Sequence, residues 1–402
     1  MNRILVYHPT GNQNVRALIK GLCDNHILHS FHTTVAVFSN SFYYSLLKGP
    51  LEKFKRRTYD NMLKKYVVQY PVLELSMLAG LKKYKGFLLN GSSVNKILAY
   101  DVAKYLDKKY NDVDGIFGYP FGSEPIFVEA KKYGIKCIYE QTTAYYRSLK
   151  QITMNEKLEN KNWAESISIY EEPQDILDKL DRELDMADFV IAASSYIKRT
   201  LIEGGVKEDK IKIVPYGFPK VNPKEYRKLN NGDKIKVLFA GNISQLKGLS
   251  YLSDAIKGLE KYIDLTIIGP FSEKNEQIKE FINSHEYLGS LPHDELLCKM
   301  HEHDVFIFPS LCDGWGMVVS EAMSQGVPVI ATMNSCGPDI IRHKENGWLV
   351  PIRDSKSIHE ILKDIIANPG LIQNMGENAI ETAKSRPWSV YEKEISHFLE
   401  QS

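Results

Sequence analysis

One segment, residues 304–331, constrains the fold of this chain more than any other. The apolar run Asp304-Val-Phe-Ile-Phe-Pro309 precedes a turn that holds Gly314 and Gly316, and a helical pattern then runs to Gly326 before the next apolar run. Strand, glycine turn, helix, glycine stop and strand in this order predict a βαβ unit with parallel strands. The two glycines allow close backbone approach to a ligand, and the helix start offers free N–H groups to an anion.

The same alternation runs along the whole sequence and predicts an α/β protein. The predicted strands are Ile4–Tyr7, Thr34–Phe38, Gly115–Gly118, Lys136–Tyr139, Phe189–Ala192, Lys236–Gly241, Leu265–Gly269, Val305–Phe308 and Val327–Ala331. Between the fifth and sixth strands, Pro215–Pro223 and the polar run 224–234 are typical of a linker. We therefore expect two tandem Rossmann-like, doubly wound domains, residues 1–218 and 219–385, that face a cleft at the carboxyl ends of their strands.

Composition agrees with this organisation and narrows the function. A length of 402 residues exceeds what one core usually supports. The 51 Lys and Arg against 50 Asp and Glu give no overall attraction to nucleic acid, so no nucleic-acid partner is predicted. The cysteines are odd in number and form no CxxC pair, which favours free thiols in a reducing cytoplasm. The first apolar run is too short for a signal peptide, and none approaches the ~18 residues of a membrane helix.

A series of motifs in a fixed order carries a family resemblance. In the second half these are Val237–Gly248, Leu265–Pro270, Tyr287–Leu296, Asp313–Glu321, Gly337–Asp339 and Asn346–Val350, and in the first half Arg182–Ser194 and Val214–Gly217. On these residues the sequence resembles the retaining glycosyltransferases of family 4, which have the GT-B fold. The resemblance implies a donor-binding domain over 219–385, an acceptor-binding domain over 1–218, and a last helix, 386–402, that crosses back to the first domain.

The resemblance assigns the two carboxylates of the first segment to a nucleotide-sugar site. It implies that Asp313 faces the donor sugar and Glu321 the ribose hydroxyls, with both groups accepting hydrogen bonds. The residues between them in the predicted donor loop are Gly314, Trp315, Gly316, Met317 and Val318. Glutamate is usual in the family where Asp313 stands, so the contact with the sugar is made by a side chain one methylene shorter.

The diphosphate is expected to meet a single cation. The family presents an arginine and a lysine after the first strand of the donor domain, whereas this chain has Asn242 after Gly241 and keeps Lys247. Lys247 and Asp313 are therefore the predicted catalytic residues. Arg16 is a candidate replacement cation, since it follows the N-terminal loop.

That loop, residues 7–16, lacks GxGxxG, which argues against a nicotinamide or flavin enzyme. Gly11 and Asn12 fit a loop that lies over the donor phosphates, although an ordinary βα turn is an equal alternative. His8 is interpreted as a satisfied strand-end histidine rather than a catalytic group.

The acceptor side is predicted from two stretches that follow strands of the first domain. Tyr119 and Glu124 stand where many relatives carry a histidine, and Glu140 and Tyr145 follow the next strand. A DxD sequence, Asp112-Val-Asp114, lies in a polar turn before a strand and is interpreted as structural. No metal and no cofactor are expected, and a nucleotide diphosphate sugar, of the UDP or GDP type, is the expected co-substrate.

Residues 48–85 form a basic stretch with interleaved apolar residues. It holds ten Lys and Arg against three acids, and Leu51, Phe54, Tyr59, Met62, Leu63 and Tyr66 alternate with them. Such a stretch can lie on an anionic membrane surface, and a solvated helical face is the alternative. The predicted location is the cytoplasm, with peripheral attachment to the inner face of the membrane as an additional hypothesis.

Together these features predict a retaining glycosyltransferase that moves a hexose-type sugar from a nucleotide diphosphate sugar to a glycan or lipid-linked acceptor. Two alternatives remain at this stage. One is another GT-B enzyme, such as a nucleotide-sugar epimerase. The other is a catalytically impaired nucleotide-sugar-binding protein, which the departures at Asn242 and Asp313 make plausible.

Overall fold

A computed structural model describes residues 1–81, 83–84, 87–88, 91–167, 174–230, 232–273 and 275–402. The strands are β1 Ile4–Tyr7, β2 Leu28–Thr33, β3 Val37–Phe38, β4 Thr58–Tyr59, β5 Val67–Gln69, β6 Lys83–Tyr84, β7 Phe87–Leu88, β8 Gly115–Gly118, β9 Lys136–Gln141, β10 Phe189–Ala192, β11 Ile211–Ile213, β12 Ile235–Ala240, β13 Ile263–Ile268, β14 Glu286–Tyr287, β15 Val305–Phe308, β16 Val329–Thr332 and β17 Gly347–Val350.

The helices are α1 Gln13–Asp24, α2 Val72–Leu78, α3 Gly91–Lys109, α4 Ser123–Lys132, α5 Tyr146–Glu159, α6 Lys161–Ala164, α7 Gln174–Met186, α8 Ser195–Glu203, α9 Leu249–Ile256, α10 Glu276–Asn283, α11 His293–Glu302, α12 Met317–Ser324, α13 Gly337–Ile340, α14 Ser355–Ala367, α15 Gly370–Ser385 and α16 Trp388–Gln401. Short 3₁₀ segments lie at Phe42–Leu46, Gly49–Arg57, Asn61–Lys65, Tyr110–Asp112, Glu208–Lys210 and Gln245–Lys247.

Two parallel sheets, one in each half of the chain, organise these elements as predicted. Within the described residues, the first sheet has seven strands in the order β11-β10-β9-β8-β1-β2-β5, and the second has six in the order β14-β13-β12-β15-β16-β17. All pairings within both sheets are parallel. Helices cover both faces, which is why strands such as β1 and β15 are fully buried apolar runs.

The C-terminal helix crosses back to the first sheet, as the resemblance implied. Helix α16 packs along α1, and a Cβ added at Gly21 would lie 2.5 Å from the carbonyl oxygen of Glu392. Glycine therefore permits this close approach of the two helices. The amino group of Met1 donates to the carbonyl of Glu400 at 2.8 Å, so the two ends of the chain meet on one domain.

The predicted strand Thr34–Phe38 is wrong. The second strand of the sheet is Leu28–Thr33, and Val37–Phe38 forms a separate two-residue pairing with β4. The sequence of β2 is rich in polar residues, which concealed it. These residues are buried in pairs: Ser30 Oγ lies 3.0 Å from His32 Nε2, and His32 Nδ1 lies 2.9 Å from the Tyr70 hydroxyl.

Candidate functional site

A cavity of about 570 Å³ lies between the two sheets at the carboxyl ends of their strands. The first domain lines it with residues that follow β1, β8 and β9, among them His8, Asn12, Asn14, Tyr119 and Thr142. The second domain lines it with the segment that follows β15, which includes Asp313, Trp315, Gly316 and Met317. The structure thus brings together, across one cavity, several residues predicted for the donor site and one predicted for the acceptor side.

An ion pair between Lys247 and Asp313 marks the second-domain wall. Lys247 Nζ bonds to Asp313 Oδ2, and the two side chains are 17% and 22% exposed. The next residue, Gly248, has φ of 75°, and a Cβ there would lie 1.9 Å from the carbonyl of Pro309. Glycine is therefore required for the turn that carries Lys247 to pack on the end of β15, beside the loop that carries Asp313.

The loop before α12 supplies the cavity with backbone donors. Gly316 has φ of 77° and precedes the first residue of the helix, so the free N–H groups of the first turn begin at the cavity wall. Trp315 is buried beneath, with its ring centroid 5.6 Å from that of Tyr216. Val318 is half-buried in the same turn. This arrangement can bind an anion by the helix N-terminus.

The loop also forms a contact between the domains. A Cβ at Gly314 would lie 2.0 Å from the carbonyl oxygen of Thr142, and the carbonyl of Gly314 accepts a hydrogen bond of 2.6 Å from Ser194 Oγ. Asp339 accepts from the amide of Ser195 at the start of α8 with both carboxylate oxygens, at 3.1 Å. The predicted donor loop is thereby held directly against the first domain.

Glu321 lies one turn further along α12 and has a partner that sequence reasoning missed. Its Oε1 lies 3.1 Å from Nε2 of His293, the first residue of α11, and Glu321 itself is 7% exposed. The hydrogen bond to Glu321 raises the pKa of His293 above its ordinary value. His293 lies inside the motif Tyr287–Leu296, but nothing in the spacing of that motif relates it to Glu321, because the pairing joins the first residue of α11 to the second turn of α12, 28 residues later.

Behind the first-domain wall lies a buried polar cluster around Glu140. This carboxyl is fully buried, and its Oε1 accepts from Asn14 Nδ2 at 3.3 Å and from the Tyr216 hydroxyl. Burial raises the pKa of Glu140. Asn14 and Tyr216 line the cavity, whereas Glu140 itself does not. Predicted as an acceptor-side residue, Glu140 is placed one layer below the surface of the cleft.

The structure does not bring three other predicted residues to this cavity. Arg16 is not among the lining residues, and its guanidinium donates to the carbonyls of Gly11 and Arg56, at 3.0 and 2.9 Å, and to that of Thr58. The structure therefore does not bring this predicted replacement cation to the cavity. Glu124 pairs with Arg182 at 2.6 Å on the outer surface.

Tyr145, the third of these residues, is buried in the first domain and bonds through its hydroxyl to Asp181. Two residues after β12 also lie outside the cavity lining among the described residues. Gly241 has φ of 142°, and Asn242 is exposed. A position directly after a strand is therefore not enough to bring a residue to the cavity.

The DxD sequence, Asp112-Val-Asp114, forms hydrogen bonds within the fold. Asp114 accepts from the guanidinium of Arg3 at 3.0 Å and from the amide of Asn2 at 3.1 Å. In the described part of the chain, no group of three or more His, Cys, Asp or Glu side chains could hold a metal ion. Over the same residues, no helix has the length and apolarity to cross a bilayer.

Comparison with known proteins agrees with the geometry. Residues 222–382 match the model of a family described as glycosyl transferases group 1. An uncharacterized 41.2 kDa protein in the cps region of Klebsiella pneumoniae is 30% identical over 215 residues, which cover 51% of this chain and 57% of that protein. The Staphylococcus aureus capsular polysaccharide biosynthesis glycosyltransferase CapM is 26% identical over 243 residues, covering 53% of this chain and 62% of CapM. The chain thus spans little more than half the length of these relatives.

The fold extends over the whole chain. The crystal structure of Anabaena HepE in complex with UDP superposes on 100% of both chains with a TM-score of 0.64 at 16% identity. The architecture is therefore GT-B, with two parallel-sheet α/β domains around a cleft. The match to glycosyl transferases group 1 covers residues 222–382, and the likeness in fold covers the whole chain.

Proposed function

We propose that the protein is a retaining hexosyltransferase of glycosyltransferase family 4, which transfers a hexose-type sugar from a nucleotide diphosphate sugar to a glycan or lipid-linked acceptor. The observation that carries the proposal is the position of the Lys247–Asp313 pair beside the first turn of α12, at the edge of the interdomain cavity. A cation and free helix N–H groups suit a departing diphosphate, because they supply fixed positive potential where negative charge develops.

The roles of the individual residues follow from this placement. Lys247 stabilises the diphosphate, Asp313 faces the donor sugar, and Glu321 binds the ribose hydroxyls about 7 Å along the helix from Gly316. The leaving phosphate itself takes the proton of the acceptor hydroxyl. The first domain binds the acceptor, and Tyr119 lies on its side of the cavity. The reaction uses no metal ion and no cofactor.

The nucleotide of the donor is proposed to be UDP, with GDP as the second choice. The support for UDP is that HepE, which has the same fold, was crystallised with it. The relation to CapM favours an acceptor in polysaccharide biosynthesis. We expect the protein to act in the cytoplasm.

Thermal unfolding with UDP, GDP and ADP tests the proposal. A nucleotide that binds only the folded protein raises the midpoint temperature in proportion to its affinity and concentration. We expect a shift with one nucleotide that is lost in Glu321→Ala, while Glu377→Ala, an exposed glutamate of α15, keeps it. No shift with any nucleotide would contradict the donor site. A shift without turnover or hydrolysis of the matching nucleotide sugar would favour a catalytically impaired binding protein.

We further propose that the segment 42–65 attaches the protein to an anionic membrane surface. Phe42 and Leu46 are 85% and 65% exposed, and they lie beside the exposed basic residues Lys48, Arg56 and Lys64. Phe54, Tyr59 and Leu63, three of the predicted interleaved residues, are instead buried in the domain. Lys82 and Lys85 lie outside the described residues.

Vesicle binding tests this attachment. Arg57 belongs to the fold, because it pairs with Glu74 and both side chains are less than one-fifth exposed, at 18% and 13%. The informative variant therefore replaces Lys48, Arg56, Lys64 and Lys65 with glutamine and leaves Arg57. We expect it to lose binding to phosphatidylserine vesicles at low salt, and unchanged binding would refute the attachment.

A further inference from the structure

The N-terminal loop of the first domain holds the imidazole of His8 at the cavity through hydrogen bonds from its own backbone amides. The amides of Thr10 and Gly11 both point at one atom, Nδ1 of His8, at 3.1 and 2.8 Å. Consecutive N–H groups that converge in this way form a concavity that commonly binds an anion. Here the imidazole of the same loop fills it.

The rest of the loop is fixed so that these amides cannot turn outward. The carbonyl of Pro9 accepts from Thr34 Oγ1 at 2.7 Å, and that of Gly11 accepts from Arg16 Nε at 3.0 Å. Gly11 has φ of 66°, and a Cβ there would lie 1.8 Å from the hydroxyl oxygen of Tyr59. The loop is therefore held by its carbonyls, and its amides belong to His8 rather than to a bound phosphate. The expectation that this loop grips the donor phosphates is not met by these amides.

Because Nδ1 accepts two hydrogen bonds, it carries no proton, and the proton of the neutral ring is on Nε2. In the described part of the chain no hydrogen bond joins His8 Nε2 to another residue, and His8 lines the cavity. The ring is held edge-on against Tyr119, with centroids 5.0 Å apart. The loop thus fixes both the tautomer and the orientation of the imidazole.

The surroundings oppose a charged ring. A proton on Nδ1 would break both amide contacts. Burial and the nearby guanidinium of Arg57 lower the pKa of His8 to about 4. Of the groups that face this loop, Arg57 and Arg16 are cations already committed to Glu74 and to backbone carbonyls, and Tyr59 and Tyr119 are neutral phenols. The first-domain wall at His8 therefore offers a neutral donor.

We propose that His8 is a specificity-determining residue whose fixed Nε2–H donates a hydrogen bond to a hydroxyl or ring oxygen of the sugar bound in the cleft. A neutral donor suits an uncharged sugar oxygen, whereas the diphosphate is matched by Lys247 and the start of α12 on the opposite wall. This inference rests on the proposed function for the identity of the ligand. The tautomer of His8 rests on the two amide contacts, and its neutral charge rests on those contacts together with the lowered pKa.

Two substitutions test the roles of the two ring nitrogens of His8 separately. In His8→Asn the amide oxygen can take the place of Nδ1 and accept from Thr10 and Gly11, but nothing replaces the Nε2 donor. In His8→Gln the terminal amide can replace the Nε2 donor, but the cap on the two loop amides is lost. His397→Asn, at an exposed histidine of α16, is the control for substitution of a histidine remote from the cavity.

Calorimetric titration with UDP and with UDP-glucose, and with GDP and GDP-mannose in parallel, tests the ligand. For His8→Asn we expect near-wild-type thermal stability, unchanged affinity for the nucleoside diphosphate and about tenfold weaker binding of the nucleotide sugar, the size of one lost hydrogen bond. His8→Gln should be less stable but keep more of the sugar affinity. Equal weakening of both ligands would place the contact on the phosphates and overturn the sugar assignment. Binding of both ligands with no change in His8→Asn would overturn the role of His8 and leave the proposed function intact, whereas no binding by the wild-type protein would contradict both.

The charge and tautomer are measured without a ligand. In ¹⁵N-histidine-labelled protein, the signal that His8→Asn removes should show an unprotonated Nδ1 and a protonated Nε2, unchanged from about pH 8 to about pH 6, which lies above the lowered pKa of about 4. Titration near the ordinary histidine value of about 6.5 would overturn the inference.

Discussion

The two walls of the cleft differ in the charge of the side chains they present. On the second-domain side, Asp313 of the cavity wall pairs with Lys247 beside a helix N-terminus. A second pair, His293 with Glu321, lies one turn further along α12, outside the residues that line the cavity. The first-domain wall is neutral and polar. It carries His8, whose Nδ1 accepts from backbone amides of the same loop, and it carries Asn14 and Tyr216, which donate to the buried carboxyl of Glu140. The difference supports the proposal that the charged part of a substrate is held by the second domain and its uncharged part by the first.

The walls also differ in how they are built. The residues of the second wall come mainly from one βα unit and the turn packed beside it, so their positions follow from local spacing and glycine turns. Those of the first wall come from the ends of β1, β8 and β9 and from the linker, and they contact one another only after the sheet has formed. The predictions below test the charged wall, the contact between the walls and the weaker charged pair, in that order of expected effect.

Removal of the cation should have the largest effect. Lys247→Ala removes a fixed positive charge at the departing diphosphate and leaves Asp313 without its partner. We expect turnover of the nucleotide sugar to fall by about 10²- to 10³-fold, the usual cost of one lost transition-state contact. Lys257→Ala, in the same domain and with a side chain 70% exposed, is the matched control and should keep its turnover. Near-wild-type turnover in Lys247→Ala would show that this cation does not stabilise the departing diphosphate.

A single methyl group added at the contact between the walls should lower the stability of the protein. Gly314→Ala directs its Cβ at the carbonyl of Thr142, 2.0 Å away, so either the loop or the first domain must shift. We expect the free energy of unfolding in urea to fall by about 1–3 kcal/mol, as for other overpacked sites. Gly370→Ala is the control, because its added Cβ meets only an amide oxygen at 3.4 Å. Equal stability of the two variants would indicate that the domains do not meet at Gly314 in solution.

The same contrast explains how much could be predicted from the sequence. The strands with unbroken apolar runs were correctly located: β1, β8, β10 and β15 have the predicted bounds. Strand β2 escaped because its polar residues satisfy each other only inside the folded sheet. The fold class followed from the strand and helix alternation, which depends on local periodicity.

The sequence could predict those parts of the site that are formed by residues close together in the chain. Asp313 through Met317 could be placed by the glycine turn, and the return of α16 by resemblance. The orientation of a side chain is different, because it depends on neighbours from distant elements. Arg16 follows the right loop, yet its guanidinium is drawn away by carbonyls at residues 56 and 58. His8 was recognised as satisfied, but its free nitrogen became evident only from the two amides that hold the other one.

The smallest expected effect concerns the His293–Glu321 pair and depends on pH. Because the hydrogen bond to Glu321 raises the pKa of His293 in the folded protein, the protonated ring stabilises the fold. That contribution is fully present below the unfolded pKa of about 6.5 and is lost as pH rises through the higher folded value. The free energies of unfolding of wild type and His293→Gln should therefore differ most near about pH 6 and converge toward about pH 8. His397→Gln should show no such convergence, and a difference for His293→Gln that grows with pH would mean that Glu321 holds a neutral imidazole. In that case Lys247 with Asp313 would be the one charged pair on this side of the cleft. Glu321 would then contact the ribose hydroxyls as a fully charged carboxylate.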